Sequence, residues 1–405
     1  MSLADEALRN AIAAHNAGRL IEAEVGYSRV LRRQPNEARA LYGLGLLSYH
    51  SGAKDQGIQY IVRSLESAPH NGRGWVTLGS MYLETGRASE AKEAYRRATE
   101  VTPDLSDGWY NVGICLKREG DFEGAAEQLR RATACSTPYL KAYEALSALL
   151  YERGQLQEAA QTVADWVIRE PTNPTALHMA AAASKREPPS RASDAHVRAL
   201  FDSFAAGFDR NLQDLKYRAP ELVASALRAV AATPAADSPD APRFATVLDA
   251  GCGTGLCGSL VRGLCRTLVG VDLSPKMLAH AQRRGCYDEL VTAELSEFMR
   301  SRPGAFEAVV CADTLVYFGE LAEPLAAARA ALREGAPLIF TVEALPEEDA
   351  VEHRLELSGR YSHHDQYLRR VLRESGFELG SIERHVLREE RGTGVAGYLV
   401  VAQVR

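Results

Sequence analysis

The sequence Val247-Leu248-Asp249-Ala250-Gly251-Cys252-Gly253-Thr254-Gly255 decides the fold of the second half of this 405-residue chain. Its apolar, β-branched beginning predicts a buried parallel strand that stops where the glycines start. Glycines permit a sharp turn and a close approach of the backbone to a ligand. A helix predicted from Leu256 directs its free N–H groups at that ligand. The stretch therefore predicts a ligand-binding loop between a strand and a helix.

A second apolar run, 267–271, ends in Asp272. About 20 residues beyond a glycine loop, an acidic side chain at the neighbouring strand tip can accept hydrogen bonds from two ribose hydroxyls. The run 253–258 also fits G-x-G-x-x-G, so a nicotinamide (NAD) oxidoreductase remains a remote alternative. Asp249 disfavours it, because a carboxylate beside the loop repels a pyrophosphate.

The pattern Asp249-x-Gly251-x-Gly253-x-Gly255, followed by Asp272, resembles the class I S-adenosylmethionine-dependent methyltransferases. The resemblance covers roughly residues 201–405 and implies a Rossmann-like α/β sheet of seven strands, with S-adenosylmethionine as cofactor and S-adenosylhomocysteine as product. By the same resemblance, the cofactor-binding residues are Asp249, Gly251, Gly253, Gly255, Asp272, Leu273, Met277, Glu294, Leu295, Ala312 and Tyr217. Met277 has ordinary helix packing as its alternative role, and Glu294 has that of a helix N-terminal carboxylate.

The acceptor is expected beyond a fourth strand, in the segment 306–318, because ligands of doubly wound sheets bind at the carboxyl ends of strands. Candidate catalytic residues are Asp313, Tyr317, His363 and His364, and candidate substrate-binding residues are Tyr217, Arg218, Tyr317 and Tyr361. A hydroxyl or ammonium acceptor needs a base, whereas a carboxylate acceptor needs none. The alternative for the histidine pair is a capping or loop role before a helix that starts near Asp365. Methyl transfer requires no metal, and we expect none.

An aromatic segment precedes the first strand. It resembles the helical lid of predicted bacterial methyltransferases that carry helical repeats in front of the catalytic domain. Tyr217 and Arg218 would then cover the cofactor or the acceptor, although helix packing explains Phe201, Phe204 and Phe208 equally well. The stretch from Thr233 to Arg243 reads as an exposed connector.

Five glycines recur every 34 residues in the first half, which is the tetratricopeptide (TPR) period: Gly18, Gly52, Gly86, Gly120 and Gly154. One repeat carries the whole signature, Trp75-x-x-Leu78-Gly79-x-x-Tyr82. The sequence thus predicts an all-α TPR solenoid of about five repeats with a capping helix over 1–185. A helical lid over 190–232 and a methyltransferase domain over 244–405 complete a multidomain protein of α plus α/β class.

The first helix of each repeat pair usually faces a concave surface. The candidate partner-binding residues there are Arg39, Tyr42, Tyr49, Arg73, Tyr110 and Lys117, joined by Lys141 and Tyr151. Tyrosine with Arg or Lys suits an extended or acidic peptide or a protein partner. A solvated face, or one that forms a homodimer, is the alternative.

The composition and the absence of certain motifs exclude some classes of partner and acceptor. A net charge of −6 and the absence of a Pro-Pro-Tyr or Pro-Pro-Phe signature argue against nucleic acid as a partner or acceptor. Neither a membrane span nor a signal peptide is evident, and seven cysteines without a C-x-x-C pair suit a reducing cytoplasm. We therefore expect a cytoplasmic O- or N-methyltransferase that acts on a small-molecule, peptide or carrier-bound acceptor, with the repeats recruiting a substrate or partner or forming a dimer. An interaction scaffold that keeps the cofactor fold without turnover is the alternative.

Overall fold

The structure, a computed structural model, describes residues 3–184, 187–232, 243–390 and 392–405. The chain divides into two compact units, the first extending to Trp166 and the second starting at Val167. The predicted connector, apart from Arg243, lies outside the described residues. Among the residues that the structure describes, no helix combines the length and apolar character that a membrane-spanning segment needs.

The first unit is an array of helix pairs. Its helices are α1 (Leu3–Asn16), α2 (Leu20–Arg33), α3 (Ala38–His50), α4 (Lys54–Ser67), α5 (Gly72–Glu84), α6 (Ala88–Val101), α7 (Ser106–Glu119), α8 (Phe122–Ala134), α9 (Lys141–Glu152) and α10 (Leu156–Arg169). Each of the five periodic glycines lies in the turn inside a pair, with φ between 74° and 97°. Other residue types adopt this left-handed conformation only at a cost, which explains the 34-residue spacing.

The repeats share contacts as well as spacing. In one repeat, Trp75 Nε1 donates a hydrogen bond to the carbonyl oxygen of Pro69 at 2.9 Å. One period later, Trp109 Nε1 donates to the carbonyl oxygen of Pro103 at 2.7 Å. The first unit is therefore the predicted TPR solenoid.

The second unit is a sheet with helices on both faces. Its helices are α11 (Pro174–Ala183), α12 (Asp194–Phe204), α13 (Phe208–Asp214), α14 (Ala219–Ala231), α15 (Leu256–Val261), α16 (Pro275–Arg284), α17 (Leu295–Arg300), α18 (Ala322–Ala331) and α19 (Asp365–Glu374). Its strands are β1 (Phe244–Ala250), β2 (Cys265–Asp272), β3 (Glu289–Thr292), β4 (Ala308–Cys311), β5 (Pro337–Ala344), β6 (His353–Leu355), β7 (Tyr361–His363), β8 (Phe377–Glu390) and β9 (Thr393–Val404).

The main sheet has the strand order β3-β2-β1-β4-β5-β9-β8, in which β9 alone runs antiparallel to its neighbours. This confirms the predicted Rossmann-like sheet of seven strands. The short strands β6 and β7, which the sequence did not predict, extend the sheet from the end of β5. Side chains alternate along β1, so Val247 packs with α14 and α15, whereas Leu248 packs in the core shared with α17, α18 and α19.

The helix α11, expected as a cap on the repeats, belongs to the second unit. His178 of α11 bonds through Nε2 to the carbonyl oxygen of Gly359 at 2.8 Å. Its ring stacks on that of His196 in α12, with centroids 4.2 Å apart. These contacts tie α11 and the predicted lid to the loop before β7.

Candidate active site

A cavity opens at the carboxyl ends of β1, β2 and β4. The empty space in it, counted together with the solvent at its open mouth, is roughly 1140 Å³. Its wall combines apolar side chains from the lid with carboxylates at the strand ends. Parallel strands bring their carboxyl ends together, so residues distant in sequence meet here.

The glycine loop forms one wall of this cavity. The N–H of Gly251 donates to the carbonyl oxygen of Val271 at 2.9 Å, which joins the loop to β2. Gly251 has φ of 75°, and a Cβ there would collide with the Thr314 side chain. Glycine is thus required at this position both by conformation and by space.

Asp272 fixes the same loop from the end of β2. Its Oδ2 accepts the N–H of Gly253 at 2.9 Å, and its Oδ1 accepts the N–H of Ser274 at 2.8 Å. Burial raises the pKa of Asp272, although these backbone bonds oppose the rise. Both carboxylate oxygens are therefore held in place on the cavity wall.

Asp249 lies at the end of β1 with a neutral partner. The phenol of Tyr287 donates to Asp249 Oδ2 at 2.6 Å, and burial raises the pKa of Asp249 to about 7. The Tyr287 ring fits because residue 258 is glycine, since a Cβ there would overlap the phenol oxygen. The third glycine of the G-x-G-x-x-G match thus has a packing role.

Apolar and acidic side chains form the next section of the cavity wall. Leu273, the fully buried Met277 and Leu295 supply apolar contacts. Glu294 accepts the Glu297 N–H at 2.7 Å as the N-cap of α17, and its other oxygen pairs with Arg191 at 2.8 Å. Glu294 thus lines the cavity while it caps a helix.

A buried ionic network lies at the opposite end. The Arg388 side chain, only 1% exposed, pairs with Asp313 at 3.6 Å, with Glu390 at 2.7 Å and with Glu343. Arg360 pairs with Glu390 at 3.0 Å and with Glu343 at 3.7 Å. Three carboxylates thus surround two guanidinium groups, and both guanidinium groups are already paired.

Asp313 has an unusual backbone in this network. It is one of two non-glycine residues with positive φ among those described, at 57°, and its N–H donates to Thr341 Oγ1 at 2.9 Å. Within the described residues, its Oδ1 has no hydrogen-bond partner. Strained backbone of this kind persists where the surroundings impose it, and such positions cluster at functional sites.

The predicted lid covers the cavity. Phe201 contacts both Phe208 and Tyr317 edge to face, with centroids 5.9 and 5.5 Å apart. Asp209 of α13 accepts a hydrogen bond from Thr254 Oγ1 at 2.5 Å, so α13 is fastened to the glycine loop. The lid thus forms part of the cavity wall and is held to both Tyr317 and the glycine loop.

The end of the lid pairs with strand β8. The N–H of Arg218 donates a hydrogen bond to the carbonyl oxygen of Leu387 at 2.8 Å. In the other direction, the N–H of Glu389 donates to the carbonyl oxygen of Leu215 at 2.7 Å. Leu387 lies at a register shift between β8 and β9. A β-bulge thus provides the attachment point of the lid.

Comparison with known proteins gives two family matches. A model described as "Methyltransferase domain" matches residues 247–335, and one described as "Tetratricopeptide repeat" matches residues 4–72, 76–139 and 117–174. The chain combines tetratricopeptide repeats with a methyltransferase domain.

Individual relatives match only part of this chain. Human methyltransferase-like protein 27 is 38% identical over 119 residues, which are 29% of this chain and 45% of that protein. The ubiquinone biosynthesis O-methyltransferase of Thiobacillus denitrificans is 33% identical over 102 residues, or 24% and 43%. This chain thus spans less than half the length of either relative.

A solved structure offers a further comparison. It is the Burkholderia thailandensis 1,6-didemethyltoxoflavin-N1-methyltransferase with bound 1,6-didemethyltoxoflavin and S-adenosylhomocysteine, with a TM-score of 0.41 and 20% identity, covering 54% of this chain and 93% of that one.

The methyltransferase domain brings most of the predicted site residues together. The predicted residues that line the cavity are Tyr217, Asp249, Gly251, Gly253, Asp272, Leu273, Met277, Glu294, Leu295, Ala312, Asp313 and Tyr317. Gly255, Arg218, Tyr361, His363 and His364 are not among the lining residues. The cavity wall therefore contains all four candidate carboxylates, Asp249, Asp272, Glu294 and Asp313, but neither candidate histidine.

The histidines have structural surroundings instead. His363 is fully buried, bonds through Nε2 to the carbonyl oxygen of Gly319 at 3.2 Å, and has a pKa that burial lowers to about 3. His364 caps α19, where its Nδ1 accepts the N–H of Gln366 at 3.1 Å. Tyr361 donates its hydroxyl to the carbonyl oxygen of Pro189 at 2.6 Å.

Sequence reasoning missed four cavity or supporting residues. Arg191, Arg360 and Arg388 line the cavity, and Tyr287 holds Asp249. Each has at least one partner far along the chain, and no local motif marks it. The spacing of Gly258 is the sole sequence feature connected with any of them.

The repeat residues proposed for partner binding differ in accessibility. Arg39 and Arg73 are exposed, and Tyr42 and Tyr110 are half-buried. Lys117 pairs with Glu152 at 2.9 Å. Tyr49 is buried and donates to Glu84 Oε2 at 2.9 Å, so it joins two repeats and does not lie on an open face.

Proposed function

We propose that this chain transfers the methyl group of S-adenosylmethionine to a hydroxyl or amino group. The observation that carries this proposal is the presence of two carboxylates, the buried Asp249 and the half-buried Asp272, at adjacent strand ends on the wall of one cavity. Because Tyr287 is a neutral partner, it leaves the charge of an ionised Asp249 uncompensated. A cation bound beside it would stabilise the ionised form.

The donor set fits S-adenosylmethionine. Asp249 would hold the ammonium of the amino-acid end, and Asp272 the ribose hydroxyls. Leu273, Met277 and Leu295 offer the apolar surface that an adenine ring needs. When bound, the cofactor supplies a methyl group made electrophilic by its sulfonium. The protein has to place the acceptor within attack distance and to exclude water.

The network around Arg388 favours an acceptor that carries an O–H or N–H group. Both guanidinium groups there are already paired with carboxylates. A carboxylate acceptor would meet guanidinium groups whose charge is already balanced by carboxylates, and it would be repelled by Asp313. A hydroxyl acceptor also agrees with the name of the ubiquinone biosynthesis relative, which is an O-methyltransferase.

Asp313 is the base in this scheme. Its carboxylate lines the cavity, and its Oδ1 is not engaged by any described donor. It would take the acceptor proton as the new bond forms. Arg388 would hold that carboxylate in place, while Tyr317 and Tyr217 orient the acceptor.

The repeats would bring the substrate or a partner to the enzyme. Arg39, Arg73, Tyr42 and Tyr110 retain accessible surface on the first helices of their repeats. This combination suits an acidic or extended peptide segment.

Calorimetric titration with S-adenosylmethionine tests the cofactor assignment. We expect the wild type to bind, and Asp272→Asn to weaken binding about 10- to 100-fold, because a hydrogen bond involving a charged group is lost. Glu378→Gln, at an exposed carboxylate on β8 outside the cavity, is the control and should bind normally. No binding by the wild type would refute the proposal. Binding without a mass increase of one methyl group in any candidate acceptor would favour an idle scaffold.

A further inference from the structure

Helix α2 exposes a cluster of apolar side chains. Leu20, Ile21 and Val25 are 51%, 81% and 50% exposed. At later periods, the position of Ile21 is polar in every repeat: Asp55, Ser89, Glu123 and Gln157. The position of Val25 is equally polar: Gln59, Glu93, Glu127 and Gln161. Apolar residues at these two positions thus occur in the first repeat alone, whereas the position of Leu20 is apolar and 47% exposed again at Leu156 of the fifth repeat.

The location of this repeat at the end of the array does not explain these residues. The corresponding polar residues are exposed in all four later repeats, each of which has a repeat before it. These positions therefore lie on the outer surface of the array, away from the faces that stack on neighbours.

A groove floored by small residues runs beside this ridge. Ala7 and Ala11 of α1 and Gly26 of α2 line it together with Ile21 and Val25. The two helices approach closely, because a Cβ at Gly26 would lie 2.7 Å from the Ala11 Cβ. Large apolar side chains are thus adjacent on one surface to a groove that has small residues along it and charged residues at its sides.

We propose that this surface, the first-repeat patch (Leu20, Ile21 and Val25 with the groove of Ala7, Ala11 and Gly26), joins two copies of the chain about a two-fold axis. A two-fold interface uses the same patch on both copies, so the patch must complement itself. Ridge and groove meet this requirement, since the ridge of one copy packs into the groove of the other.

The charges of α2 complement each other in the same arrangement. Glu22, which pairs with the exposed Arg19 of its own chain at 2.7 Å, lines the groove near the start of α2, and Arg29 lines it one turn beyond Val25. When two α2 helices run antiparallel, Glu22 of each copy lies near Arg29 of the other. Opposite charges at such places set the orientation of the pair.

The expected dimer is weak. The patch consists of one helix pair on each copy, which is small beside the roughly 1,600 Å² of a standard interface. We therefore expect a dissociation constant of about micromolar order.

Sedimentation velocity of the full chain over two decades of concentration tests this proposal. We expect the wild type to shift from the mass of one chain to that of two. Leu20→Glu and Ile21→Glu should each raise the dissociation constant roughly tenfold or more. Leu156→Glu is the matched control, because Leu156 occupies the position of Leu20 in the fifth repeat and is 47% exposed. It should dimerise as the wild type does.

A charge exchange tests the antiparallel orientation. Glu22→Arg and Arg29→Glu should each weaken the dimer, and the double variant should restore it. Circular dichroism and thermal melting establish that the variants fold. A wild type that stays monomeric at every concentration would overturn the proposal. So would a dimer that Leu20→Glu and Ile21→Glu leave unchanged, since its interface would lie elsewhere.

Discussion

The phenol of Tyr287 donates a hydrogen bond to Asp249 Oδ2 at 2.6 Å, from a ring that fits against Gly258. This hydrogen bond lowers the pKa of Asp249. Burial has the larger effect in the opposite direction and raises the pKa to about 7. The carboxylate thus changes its charge near neutral pH when no ligand is bound. The affinity of the cavity for a cation is therefore expected to depend on pH.

Binding of S-adenosylmethionine should weaken as the pH falls below about 7. Below this pH the Asp249 carboxyl is mostly neutral and cannot pair with an ammonium, so binding must release its proton. The affinity should then decrease by about tenfold for each further pH unit. Calorimetry in two buffers of different ionisation enthalpy measures that proton release. In Asp249→Asn the affinity should be low and lose this pH dependence. An affinity that stays constant from pH 5.5 to pH 8 would contradict the assignment.

Gly258→Ala should disturb both stability and cofactor binding. The added Cβ overlaps the Tyr287 hydroxyl, so the ring must move away from Asp249, at a cost of about 1–3 kcal/mol in the free energy of unfolding. Urea unfolding and calorimetry measure the two effects. Gly263→Ala is the control, because a Cβ at Gly263 meets no heavy atom within 4 Å. Equal behaviour of the two variants would argue against the packing role of Gly258.

Arg388→Met should be strongly destabilising. It leaves Asp313, Glu343 and Glu390 without a cation that pairs with all three, and breaking a buried ion pair costs about 3–5 kcal/mol. The free energy of unfolding in urea is the measurement. Arg384→Met on the same strand, where the side chain is 49% exposed and lies 3.9 Å from Glu347, should cost less than about 1 kcal/mol. A loss below about 1 kcal/mol for Arg388→Met would contradict the network.

The stacked histidines should make the second unit sensitive to acid. Burial, followed by the charge of His178, lowers the pKa of His196 to about 3. A lowered histidine pKa means that protonation favours the unfolded chain, so stability is lost as the pH falls below about 6.5, the pKa of the unfolded state. When the pH is lowered from 7.5 to 5.5, we expect the free energy of unfolding of the wild type to decrease by about 1 kcal/mol more than that of His196→Phe.

Urea unfolding at the two pH values measures this difference. His70→Phe, at an exposed histidine, is the control and should lose as much stability as the wild type. If His196→Phe were as acid-sensitive as the wild type, the stacked pair would not be the cause.

The features that the sequence predicts are those in which chain neighbours act together. The glycine loop spans a single turn, and Asp272 follows it by one helix and one strand. The repeat glycines require only a constant spacing, since each closes a turn between two helices of the same pair. Such patterns are local, and the structure has them where we expected.

The residues that sequence reasoning missed act over long separations. Tyr287 lies 38 residues from Asp249, and Arg388 lies 45 residues from Glu343. Only the order of strands in the sheet brings these pairs together. His363 and His364 are adjacent in the sequence, but their roles also could not be predicted. They depend on the three-residue strand β7, which has no sequence signal of its own. That strand buries His363 and leaves His364 to cap α19.

The bulge at Leu387 has a further consequence. Strand β8 pairs with β9 on one side only, so it forms the flank of the sheet. Unpaired backbone groups on such a flank are a template for aggregation. Leu215 and Arg218 form backbone hydrogen bonds with Glu389 and Leu387 on this flank. The segment that lies over the cavity therefore also prevents a strand of another molecule from pairing with β8 there. Whatever loosens that segment to let a product leave should therefore make the protein prone to aggregate at the same time.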